Sequence, residues 1–191
     1  MSDRRHAERQ LLAGVLGELV AVRRARLLSL LVLAAAMLVA GLGAALQAQG
    51  ERVDAVLLFS AFTLIMIGIV CGLAAIVAWT RINRDVLDSV AARRPVSARA
   101  PRSQAGGTAV AVGFALLGLV FGVMLWETTP VLAVGIAVAC ALLACLGPIW
   151  ANELAAGDDR FAAMLEGDAE LAARFADFTP IWLHEAMGDS D

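Results

Sequence analysis

Arg81-Ile82-Asn83-Arg84-Asp85, followed by Ala92-Arg93-Arg94-Pro95 and Arg99-Ala100-Pro101-Arg102, decides how this chain is read. The stretch is basic, lies near the middle of the sequence and has a pair of long apolar runs on each side. Arginine in short loops favours the cytoplasmic side of a membrane. The stretch therefore fixes four spans with both termini inside the cell.

Composition points the same way. Hydrophobic residues make up 60% of the chain, charged residues only 17%, and the mean hydropathy is +0.78. A water-soluble domain of that composition would expose more apolar surface than such domains carry. Every basic residue is Arg and Tyr is absent, which reads as the coding bias of a GC-rich bacterial genome and places the protein in a bacterial inner membrane.

Outward from the basic stretch toward the N-terminus, the apolar run 55–79 is longer than a bilayer core of ~30 Å requires, at 1.5 Å per helical residue. Its helix is expected to project beyond the headgroups, because Ile82, Val86 and Val90 continue an apolar stripe at i, i+4, i+8. Arg81 with Asp85 and Arg84 with Asp88 would pair along the wet face. Before it lie a short polar turn, 47–54, and an uncharged run, 27–46, long enough to span once. Residues 1–26 carry Leu11, Leu12, Val15, Leu16, Leu19 and Val20 at helical spacing. They are expected to form an amphipathic helix on the membrane surface, with Arg23, Arg24 and Arg26 meeting anionic headgroups.

Toward the C-terminus, Pro95 ends the helix extension and 95–107 reads as a linker. Two further apolar runs follow, 108–126 and 131–150, separated only by Glu127-Thr128-Thr129-Pro130. So short a connection forces an antiparallel hairpin, with Thr129 as N-cap and Pro130 at the first helical position. Trp79, Trp126 and Trp150 fall at the expected headgroup levels.

Charge separates by segment. Residues 1–26 hold six Arg against Asp3, Glu8 and Glu18 (+3), and the central loop holds six Arg against Asp85 and Asp88 (+4). The tail 151–191 holds Arg160 and Arg174 against ten carboxylates (−8). Its apolar residues, broken at Gly167, suggest two or three short amphipathic helices, either lying on the spans or offered to a basic partner. A weak latch of 158–177 on Arg81, Arg84, Arg93 and Arg94 is also expected, because both segments share one compartment.

The chemistry is mostly a set of absences. None of the four apolar runs contains Asp, Glu, Lys, Arg or His, which argues against a proton-coupled carrier. His6 and His184 have no second ligand at metal-binding spacing, and Cys71, Cys140 and Cys145 lie within spans as small apolar residues. No nucleophile elbow or phosphate-binding glycine loop occurs. The chain is expected to be no enzyme and to need no cofactor.

The spans do carry small residues in register. Gly68 with Gly72, Gly118 with Gly122, and Ala133, Ala137 and Ala141 recur every fourth residue, which lets helix backbones approach closely. Gly147-Pro148 marks a kink and a candidate hinge, because Pro148 leaves the carbonyl of Ala144 without its helical donor.

The expected architecture is an all-α membrane protein of four transmembrane helices in two hairpins, with amphipathic cytoplasmic helices at both ends. Its segments are 1–26, an amphipathic N-terminal part; 27–79, the first hairpin; 80–107, the basic extension and linker; 108–150, the second hairpin; and 151–191, the acidic tail. The expected function is a non-enzymatic accessory or scaffold protein, with a small transporter or oligomeric channel as the alternative. Its partners would be the bilayer with its anionic headgroups, and a protein partner or a second copy of the chain, with no nucleic acid.

Overall fold

The computed structural model describes residues 2–49, 54–91 and 104–176. These are helical apart from short turns, with no strand among them. The helices are α1 (Ser2–Ala48), α2 (Ala55–Ala91), α3 (Gln104–Leu125), α4 (Pro130–Ala144), α5 (Leu146–Ala155), α6 (Gly157–Gly167) and α7 (Ala169–Ala176). Among the described residues, three stretches are long and apolar enough to cross a membrane: Ala13–Ala48, Ala55–Ile82 and Pro130–Ala155. The apolar part of α3, Ala109–Leu125, is shorter. It rises about 26 Å, and the whole 22-residue helix about 33 Å.

The described residues fall into two compact units. One draws on residues 2–25, 78–91 and 152–176, the other on 26–49, 54–77 and 104–151.

The first unit has an ordinary apolar core. Leu16, Leu19 and Val20 of α1 pack with Val86 of α2, Phe161 of α6 and Leu171 of α7, and Met164, Leu165 and Phe175 close around them. The Phe161 and Phe175 rings meet edge to face, 5.4 Å between centroids. At Gly17 and Gly157 the two helices touch through their backbones, since a Cβ on Gly157 would lie 2.8 Å from the Gly17 carbonyl oxygen. Asp168 separates α6 from α7 and caps the latter, its Oδ1 accepting from the amides of Glu170 (3.0 Å) and Leu171 (3.1 Å).

This arrangement corrects two expectations. The described part of the N-terminal helix's apolar face, Leu16, Leu19 and Val20, is covered by the tail where headgroups were expected. The helix also does not end at residue 26; no Pro or Gly occurs between Gly17 and Gly41, so nothing interrupts α1. The tail is seated by apolar burial of Phe161 and Leu171 on Leu16, Leu19 and Val20. Arg81 and Arg84 are exposed, while Arg93, Arg94 and the side chains of Asp85 and Asp88 lie outside the described residues.

The second unit inverts the soluble pattern. Ala34, Ala36, Ala44, Ala48, Ala61, Ala75, Ala133 and Ala139 are buried, while Val56, Phe59, Phe62, Leu73, Leu119 and Val123 are more than half exposed. Small residues inside and large apolar residues outside suit a helical bundle whose surroundings are themselves apolar. Along α1 and α2, Gly41 faces Ala61 and Ile65 while Gly68 faces Ala34 and Leu38, so residue numbers rise on one helix as they fall on the other. Gly118 against Cys140 and Gly122 against Ala137 repeat the pattern for α3 and α4.

Helix ends in this unit are tied by side chains. Asp54 Oδ1 caps α2 by accepting from the amides of Val56 (2.9 Å) and Leu57 (3.2 Å). Pro130 opens α4 as expected, but Thr129 does not cap it through its side chain. The Thr129 hydroxyl instead turns back to the carbonyl of Leu125 (3.4 Å), and Gln47 of α1 supplies the acceptor for the Val131 amide (3.2 Å). Residues 104–107, expected in a linker, already belong to α3. The Gly106-Gly107 pair is a poor helix former, yet it lies in the first turn of a helix that the following apolar run sustains.

Candidate functional site

The small residues divide by how much room they have. A Cβ on Gly68 would fall 2.9 Å from Leu38 Cγ, and one on Gly118 would fall 2.7 Å from Cys140 Cβ; both are closer than side chains tolerate. At Gly72 and Gly122 the nearest atoms, the Cβ atoms of Ala34 and Ala137, would be 4.0 and 3.8 Å away, an ordinary contact. Ala133 is buried, Ala137 half-buried and Ala141 exposed. One backbone-to-backbone crossing is not marked by spacing: Gly43 of α1 and Gly135 of α4 each place a hypothetical Cβ 3.1 Å from the other's Cα. Single glycines 92 positions apart in sequence carry no periodic signal.

The arginines expected to set topology have different surroundings. Arg23 and Arg24 are half-buried and Arg26 exposed. Arg24 Nε donates to Glu153 Oε2 at 3.2 Å, and the other carboxylate oxygen of Glu153 lies 3.6 Å from the Arg160 guanidinium. Glu153 is only 8% exposed, so it needs such partners to be tolerated there. Sequence reading placed it simply among the acidic tail residues. Its depth and its clamp between two arginines follow from the packing of the segments 13–25 and 152–176.

Near the candidate hinge, helix geometry is interrupted at Cys145, where α4 gives way to α5. The Cys145 amide donates to Leu142 O at 3.0 Å, an i to i−3 bond, and Ile149 N resumes the helical pattern with Cys145 O at 3.0 Å. The break adjoins Ala144, whose carbonyl Pro148 cannot serve. Gly147 is buried and Pro148 exposed. One turn later the indole Nε1 of Trp150 donates to Ser29 Oγ at 2.8 Å, holding α5 to α1.

At the other end of α3 and α4 a cleft of about 370 Å³ opens. It is lined by the small residues Gly122, Ala133 and Ala137, by Val123 and Val134, and by Trp126 and Glu127. Its lining is apolar except for the one carboxylate. Trp126 and Val134 are more than half exposed.

No known protein family, curated protein or solved structure matches this chain.

Proposed function

We propose that the chain is a multi-pass protein of a bacterial inner membrane, crossing it four times as two helical hairpins with both termini cytoplasmic. It acts without catalysis as an accessory or scaffold, holding a small helical unit at the membrane for a protein partner. The observation that carries this reading is the shared core of Leu16, Leu19, Val20, Val86, Phe161 and Leu171. Its three segments are separated in sequence by the apolar stretches 26–77 and 101–151. Segments that pack together occupy the same side, so each intervening stretch crosses an even number of times. Two crossings are what the lengths of α1 and α2, and of α3 with α4 and α5, accommodate.

The arginine-rich segments lie at or beside this unit, which by the charge rule favours the cytoplasmic side. The close helix contacts at Gly43 and Gly135, Gly68 and Gly118 support a closely packed bundle, as an anchor has, over a polar-lined path. On α6 and α7 Phe161 and Leu171 are buried while Asp158, Asp159 and Glu166 are exposed, and Glu170 pairs with Arg174. That leaves an acidic face suited to a basic partner.

Two experiments test the reading. Cysteines placed singly at Gly50, Ser97, Thr128 and Ser190, in a chain whose native cysteines are alanines, should react with an impermeant maleimide from outside only at 50 and 128. An externally labelled Ser97 position overturns the topology. Photo-crosslinking residues at Asp159 and Glu166 should give a discrete adduct in native membranes, and one at Phe62 should not. A smear or nothing at the acidic face removes the scaffold role.

A further inference from the structure

The cleft between α3 and α4 has the makings of a ligand site. Its volume of about 370 Å³ falls in the range of roughly 300–1,000 Å³ typical of small-molecule sites, which combine apolar walls with a few polar groups. The cleft is open because Gly122 and Ala137 put almost nothing into it. Gly122 has no need of its missing Cβ for packing, since a methyl there would meet Ala137 only at 3.8 Å. The space is therefore not a by-product of a close helix contact, as it would be at Gly118.

What could fill it follows from the lining. Apolar walls call for a hydrocarbon chain, and the lining offers one carboxylate, Glu127, beside one exposed indole, Trp126. A carboxylate favours a cation, and an indole face adds cation–π attraction. No lining residue is basic, so a headgroup whose only charge is its phosphate finds no partner there.

We propose that the cleft holds one acyl chain of a phospholipid whose headgroup carries a primary ammonium, with the ammonium against Glu127 and Trp126. The proposal rests on the reading of α3 and α4 as membrane-crossing helices, which puts Trp126 and Glu127 at headgroup depth and Gly122 and Ala137 within the hydrocarbon. It adds to that reading a specific lipid contact at the end of the second hairpin opposite Trp150.

The test uses the full chain in nanodiscs of phosphatidylethanolamine and phosphatidylglycerol in equal parts. Trace lipids of either headgroup carry a nitroxide near the chain end, and the motionally restricted fraction is read by electron spin resonance. The ammonium lipid should be retained about threefold to fivefold over the glycerol lipid, the range an exposed ion pair with a cation–π contact supports. Glu127→Gln should bring the two headgroups level. Val134→Trp, at an exposed lining position, should fill the cleft and lower restriction of the ammonium lipid alone. Equal retention in the native chain, or a preference that survives both substitutions, overturns the proposal. Labelling of Thr128→Cys and Ser97→Cys in intact cells separates the failures. If both label from the same side, the membrane reading falls and this proposal with it. Opposite sides without lipid preference remove this proposal alone.

Discussion

Gly43 and Gly135 meet backbone to backbone: a Cβ on either would stand 3.1 Å from the other's Cα and 3.3 Å from a carbonyl oxygen of the facing helix. Neither contact is with the flexible end of a side chain, so a larger residue can be accommodated only by moving a helix. Gly43→Val or Gly135→Val should therefore destabilise the fold in detergent by about 1–3 kcal/mol or more, the cost of overpacking. Gly72→Ala and Gly122→Ala meet ordinary contacts and replace glycine within a helix, where alanine is better by roughly 0.5–1 kcal/mol. Thermal unfolding of the four variants should separate them into two classes. Four similar midpoints would contradict the crossing.

The cap of α4 gives a second discriminating pair. Gln47 Oε1 accepts from the Val131 amide, while the Thr129 side chain makes no capping bond. Gln47→Leu should cost about 1 kcal/mol, the usual worth of a cap, and Thr129→Ala only a few tenths. Chemical unfolding in mixed micelles would reverse that order if Thr129 were the cap.

These two cases show what sequence could and could not give. The apolar runs do lie in the long helices, and Gly167 did mark the break between α6 and α7, because both signals are local. The apolar stripe of Leu16, Leu19 and Val20 was equally plain, but a stripe says only that a face will be covered. The cover turned out to be Phe161 and Leu171, more than 140 positions away in sequence. Thr129 before Pro130 was a sound local rule. It was overridden by Gln47, 84 residues distant, whose side chain reaches the same end of the helix. Glu153 and the Gly43 and Gly135 pair were illegible for the same reason: nothing in their neighbours distinguishes them from other tail carboxylates or other glycines in an apolar helix.

The clamp on Glu153 should behave as a coupled pair. Its side chain is 10% exposed and that of Arg24 34%, which places the interaction between surface pairs of about 0–1 kcal/mol and fully buried ones of 3–5 kcal/mol. A double-mutant cycle of Arg24→Ala and Glu153→Ala, followed by hydrogen exchange across residues 13–25 and 152–176, should give a coupling of about 1–2 kcal/mol. Glu153→Ala should also cost more than Arg24→Ala, because it releases Arg160 as well. Strict additivity would mean that the carboxylate is not held by Arg24.

The core around Phe161 makes the strongest demand on stability in the first unit, and it tests whether the tail is a folded part or a loose appendage. Phe161 is 2% exposed, packs with Leu16, Leu19, Val20, Val86 and Leu171, and meets Phe175 edge to face. Phe161→Ala removes a buried aromatic ring and leaves a cavity, a change that costs about 3–5 kcal/mol in well-packed cores. Asp159→Ala, two positions away, alters an exposed residue and should leave stability within about 0.5 kcal/mol. Limited proteolysis of the full chain in detergent should accordingly cut the tail of Phe161→Ala at least tenfold faster than that of the native chain, and the tail of Asp159→Ala at the native rate. Salt should change little in the native chain, because apolar burial and not the exposed charge seats α6 and α7. Rapid cleavage of the native tail, or protection that falls steeply as salt rises, would instead favour an electrostatic latch on the basic residues.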